Sequence, residues 1–98
     1  MSEIVTFSML EHVKTCLGIT GEYHNAIIQG YIDEVQEYLQ DAGIPQTVTA
    51  SKACGGIVTR GVADLWNYGA GGAALSPYFH ERAAQLALKW GAVAYGTT

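Results

Sequence analysis

Ninety-eight residues, 49% hydrophobic and only 14% charged, make one small domain that buries about two thirds of its unfolded surface. The charged share is far below the roughly 25% of ordinary soluble domains, so part of the apolar surface is expected to be covered by another subunit. The net charge is −4 and the five basic residues stand singly, which argues against a basic footprint for high-affinity DNA binding, and no apolar run approaches the roughly 18 residues of a membrane span.

In chain order, Ser8-Met9-Leu10-Glu11 has the form of a capping box, serine at the N-cap and glutamate three residues on. Leu10, Val13 and Leu17 then share one face, and Gly18 stands where a left-handed cap ends a helix. The first helix is therefore expected over about Met9 to Leu17. It is too short to persist alone and must dock on something.

A second, longer helix is expected from about Glu22 to Ala42. Ile28, Tyr31, Val35, Tyr38 and Ala42 recur at alternating spacings of three and four, with Ile32 and Leu39 widening the stripe. The opposite side carries Asp33, Glu34, Glu37 and Asp41, with glutamines between them. Gly43 and Pro45 stand where a helix should stop.

Ile44 to Thr49 reads as an extended linker because of its β-branched residues. A third helix follows over about Ala50 to Tyr68, with Cys54, Ile57, Val58, Gly61, Val62, Leu65 and Trp66 as its inner face. Gly55, Gly56 and Gly61 inside it each cost about 1 kcal/mol against alanine. Either a close helix crossing needs them, or the helix kinks or starts after Gly56.

Gly69 to Ala74 is a glycine-rich connecting loop. Ser76 caps a fourth helix with Pro77 at its first position, where proline is tolerated. Phe79, Ala83, Leu86 and Trp90 form its stripe, and residues 91–98 read as a flexible tail. The expected fold class is all-α, a bundle of three to four helices. It forms a single domain over 1–98 with a core at about 6–90.

The residues that could carry chemistry do not assemble into a known set. Gly69-x-Gly71-x-x-Ala74 matches the dinucleotide fingerprint in letters, but that motif needs a preceding strand and a distal acidic residue. His12 and Cys16 lie four apart on one helix face, which places them together without a third, orienting group. His24 and His80 have no partner at a metal-ligand spacing. Cys16 and Cys54 are expected to be reduced, largely buried thiols of a cytosolic product, since Met1-Ser2-Glu3-Ile4 opens no signal peptide. No metal and no cofactor are expected, and the chain does not read as an enzyme.

The acidic side of helix two is either a solvated face, a channel lining, or a surface for a basic partner. Arg60 and Asp64, four apart, can pair with each other or bridge subunits. Trp66, Tyr68, Tyr78 and Phe79 bracket the glycine loop and are residue types that serve both cores and interfaces.

Arg60-Gly61-Val62, Asp64 to Gly69, Gly71, Gly72, Leu75 to Phe79, Arg82 and Leu86-Ala87-Leu88 together resemble the gp6-like head–tail connector (adaptor) proteins of tailed bacteriophages. The opening, Leu10 to Lys14 running into Leu17-Gly18-Ile19, resembles that family too, so the likeness spans roughly residues 6–90. The resemblance implies a structural subunit in the virion neck, assembled in the bacterial host cytoplasm. It implies a ring, dodecameric, beneath the portal protein, which extends the DNA channel and receives the next neck or tail protein. DNA passes without sequence-specific binding, and no membrane is involved. Arg60, Asp64, Trp66, Tyr68, Tyr78 and Phe79 are the expected interface. The alternative is a small helical binding or regulatory module of a mobile element, acting as monomer or dimer.

Overall fold

The computed structural model describes residues 7–69 and 75–91, all helical or in short connections, with no strand among them. Helix α1 is Met9–Leu17. Ser8 is its N-cap, and its hydroxyl accepts the Glu11 N–H at 3.2 Å, which satisfies one of the orphan donors at the helix start. At the other end Gly18 has φ 73°; its N–H reaches the Thr15 carbonyl while that of Ile19 reaches Lys14. That double bond pattern is a Schellman cap.

The long helix α2 is Asn25–Asp41, three residues shorter at its start than the sequence suggests. Gly21 has φ 77°, and a turn follows in which Asn25 N–H meets the Glu22 carbonyl at 3.2 Å. No side chain caps the N-terminus at His24, so nothing holds an earlier start. The C-terminus repeats the first cap: Gly43 at φ 110° bonds to Gln40, and Ile44 bonds to Leu39. Ile44 is buried after that reversal.

The buried line of α2 is Ile28, Ile32, Val35 and Leu39. The apolar stripe is thus centred one position away from the tyrosines: Tyr31 and Tyr38 are half-buried on its flank, and Ala42 is exposed. The phenol oxygens explain the offset, because a buried hydroxyl needs a partner. Tyr38 finds one in His80 Nδ1 at 2.7 Å.

Ile44 to Thr49 is not extended. After Pro45, residues Gln46–Thr49 wind into the single-turn helix α3. Two glutamines of α2 stabilise it: Gln36 donates to the Thr49 carbonyl at 3.1 Å and Gln40 to the Thr49 hydroxyl at 3.3 Å. These tertiary bonds override the weak strand preference of β-branched residues.

Helix α4 does not begin at Ala50 either. Ser51 is extended and caps a 3₁₀ turn, Lys52–Cys54, which leads into α4 at Gly55–Tyr68. The helix starts at Gly55 and not after Gly56, and the close-crossing reading of the glycines holds at Gly61. Gly55 and Gly56 lie in the first turn, where their flexibility costs least. Gly61 is a close crossing: a Cβ there would stand 2.8 Å from Phe79 Cε2 and 2.8 Å from Val35 Cγ2. Gly55 also admits a neighbour, His12, whose Nε2 would be 2.8 Å from an added Cβ.

Helix α5 is Pro77–Leu86, capped by the Ser76 hydroxyl on the Phe79 N–H at 3.2 Å, and it continues as a π-wound turn over Ala87–Gly91. Phe79, Ala83 and Leu86 face the core, and Phe79 has no exposed surface. Its ring fills the junction of α2, α4 and α5 over Gly61. The glycine-rich stretch 70–74 and the tail after residue 91 lie outside the described residues.

Candidate assembly surfaces

The seam between α4 and α5 is built from Asp64. Its side chain is only 7% exposed; Oδ1 lies 3.6 Å from Arg60 Nε, and Oδ2 accepts the Ser76 N–H at 2.9 Å. One carboxylate therefore joins two elements across the glycine-rich stretch and fixes the residue that caps α5. The Arg60 guanidinium, drawn to Asp64, lies over the Tyr78 ring at 5.2 Å from its centroid, a cation–π distance. Tyr78 is 56% exposed, and it shares the lining of a cavity of about 280 Å³ with Arg82. Arg60, Tyr78 and Arg82 thus form one continuous basic and aromatic patch.

Two of the expected interface residues are internal to the subunit. Phe79 is at the centre of the core and Asp64 is 5% exposed, so neither offers surface to a neighbour. The stripe of α5 and the anchoring of Ser76 require both inside.

Trp66 leaves the inner face of α4 where it was expected and stands 37% exposed. Its indole meets the His24 ring edge-on at 5.2 Å and the Tyr31 ring at 6.4 Å. Tyr23, 91% exposed, extends this aromatic cluster from the other side of His24 at 4.8 Å. Tyr68 projects at the end of α4, and Ile27 is exposed on α2. Sequence reasoning missed Tyr23 and Ile27: Tyr23 stands in the turn before α2 and Ile27 sits beside the buried stripe that begins at Ile28.

The acidic residues divide along α2. Glu34, Glu37 and Asp41 line one shallow groove with Tyr38 and Leu75, while Asp33 accepts a bond from Gln29 at 2.9 Å. On the adjoining side, an apolar groove of about 530 Å³ runs between α2 and α5, lined by Tyr38, Ala42, His80 and three alanines, with Leu88 at its edge. Leu88 is 76% exposed.

The structure brings His12 and Cys16 together, Nε2 to Sγ at 3.6 Å. Cys16 is exposed rather than buried, contrary to expectation, because it lies on the outer side of the short α1. No group of three or more histidines, cysteines or carboxylates able to hold a metal occurs among the described residues. Cys54 is buried, and that burial pushes its thiol pKa above the ordinary 9.0 despite the nearby Arg82 charge. Lys14, overlooked in the sequence, is buried beside Val13 and donates its ammonium to the Gly21 carbonyl. Its position four residues after Leu10 placed it on the apolar face, which was the available signal.

Exposed aromatic and charged side chains and the His12–Cys16 pair are what the surface presents among the described residues. Among known families, the model for the phage gp6-like head–tail connector protein matches residues 7–90. The chain belongs to that family. The match takes in every helix from α1 through α5, so the all-α bundle is the connector fold of this chain and not an appendage to it. The family is structural, and membership makes this connector a component of the phage head–tail junction. No curated protein and no solved structure matches the chain. Among the described residues, no helix is long and apolar enough to cross a membrane.

Proposed function

We propose that this connector assembles into a closed ring, dodecameric, beneath the portal protein, lengthens the DNA channel and presents a platform for the next neck or tail protein. The observation that carries the reading is the family match across residues 7–90. The surface supports it. A small subunit with 14% charged residues exposes Ile27 and four aromatics, Tyr23, Trp66, Tyr68 and Tyr78, and aromatic residues of this kind dominate protein contacts. Trp66, Tyr68, Arg60 and Tyr78 are the residues assigned to contacts with neighbouring subunits or the portal. Asp33, Glu34, Glu37 and Asp41 are assigned to a channel or partner face. With a net charge of −4, DNA slides past without being held through its phosphates. Assembly takes place in the bacterial host cytoplasm.

Deleting the gene from the phage or prophage and imaging the particles tests this reading. Packaged or leaking heads beside unattached tails are expected. Normal infectious virions would sink it in favour of a regulatory module. At residue level, Trp66→Ala is expected to leave a folded subunit that no longer completes heads, because the indole is on the surface.

A further inference from the structure

We propose that the acidic outer face of α2 in one copy docks on the Arg60–Tyr78–Arg82 patch of the next, a head-to-tail contact that repeats around the ring. The inference rests on the ring reading and assigns its two complementary faces. Two basic side chains of the subunit gather around Tyr78, where the buried Asp64 holds Arg60, and three acidic ones gather along the outer side of α2. Of its five basic residues, Lys14 is buried with its ammonium on Gly21 and Lys89 lies over the Trp90 ring at 5.3 Å. Two of the remaining three, Arg60 and Arg82, flank Tyr78. The acidic groove formed by Glu34, Glu37 and Asp41 shares Tyr38 with the apolar groove between α2 and α5.

The two faces lie on opposite flanks of α5. His80 reaches α2 through its bond to Tyr38 at 2.7 Å, whereas Tyr78, two residues earlier, lies under Arg60 of α4. The buried line of α2 faces α4 through Val35 at Gly61, so Glu37 and Asp41 point away from the body of the subunit. A chain with unlike, oppositely charged faces on its two flanks cannot pair isologously through either one. It joins heterologously, the contact that builds rings. Charge complementarity sets register and partner choice in such contacts, and Tyr78 supplies an aromatic anchor amid the two arginines. A channel lining for the acidic face is the competing arrangement; within the subunit Arg60 is held by Asp64 and Arg82 by Gln85, so the mixing test decides between the two.

The test uses two variants of the full chain, Glu37→Lys with Asp41→Lys, and Arg60→Gln with Arg82→Glu. Native mass spectrometry and sedimentation follow assembly at low and physiological salt, with circular dichroism as the check on folding. The wild type is expected to assemble, more readily at low salt. Each variant alone is expected to assemble on the order of tenfold more weakly or worse, since like charges then face each other. Mixing the two variants is expected to restore assembly with alternating subunits, because each carries the charge the other lacks. Rescue on mixing cannot arise from a folding defect or from a channel role. Wild-type assembly by either variant, or failure of the mixture to recover, overturns the contact while leaving the ring intact. A wild-type chain that stays monomeric at every concentration and salt level also overturns it. The particles of the deletion strain still decide the connector role separately.

Discussion

Gly61 and Gly56 lie five residues apart on the same helix, yet their hydrogen atoms answer to different constraints. At Gly61 the space for a methyl is already filled by the Val35 and Phe79 side chains, and both of those are core residues with no exposed surface. Gly61→Ala is therefore expected to destabilise the subunit by about 1–3 kcal/mol, the range for overpacking a filled core. Nothing stands within 4 Å of a Cβ at Gly56, so Gly56→Ala should gain about 0.4–1 kcal/mol by restricting the unfolded chain. Urea denaturation of the two variants should give shifts of opposite sign. Asp64 offers a second contrast. Asp64→Ala removes the acceptor for Ser76 N–H and leaves Arg60 without its anion, at a cost of about 1.5–3 kcal/mol for a charged hydrogen bond. Asp64→Asn keeps an acceptor and should cost clearly less in the same measurement. An equal loss in both variants would mean that the Arg60 pair, not the bond to Ser76, carries the effect.

At the scale of elements, the helix ends follow local chemistry wherever a cap is written into the chain. Ser8, Gly18, Gly43, Ser76 and Pro77 are all legible in sequence, and the ends of α1, the end of α2 and the start of α5 fall beside them. The two Schellman caps should be costly to alter. Gly18→Ala and Gly43→Ala each force a Cβ into the left-handed region, at about 1–2 kcal/mol, whereas Ser8→Ala loses about 1 kcal/mol of capping. Thermal unfolding should rank the glycine variants at or below the serine one. The starts of α2 and α4 were misplaced, and neither helix α3 nor the cap that Ser51 provides for the turn before α4 was foreseen. The start of α2 depends on the turn after Gly21. Helix α3 depends on Gln36 and Gln40 reaching across from α2, a dependence invisible to any window of neighbouring residues.

For the whole molecule, Cys54 couples folding to alkaline pH. Burial raises its pKa in the folded state, so the folded protein holds the thiol proton more tightly than the unfolded chain does. The stability this provides is fully present below the ordinary value of 9.0 and is lost as pH rises past it toward the folded value. Comparing wild type with Cys54→Ala at neutral pH and near pH 10 isolates the effect: the wild type should lose more stability on that rise. Equal losses in the two proteins would refute it. Thiol titration should meanwhile label the exposed Cys16 readily and Cys54 only on unfolding, consistent with their opposite exposure.

The sequence by itself determined the helical class, the lengths set by caps, the buried line of α5 and the family, since each is written in residues close together along the chain. It also placed Arg60 and Asp64 within reach of each other, four apart on one helix. Only the tertiary structure decided which aromatics are surface and which are core. Phe79 turns inward because Gly61 opens a place for its ring, while Trp66, on the same predicted face as Leu65, is turned out toward His24 and Tyr31. It alone set Asp64 to hold Ser76, and the acidic and basic faces on opposite flanks of α5. Helical periodicity fixes the angle at which a side chain leaves its own axis, but the neighbour it meets there is fixed by the packing of the other helices.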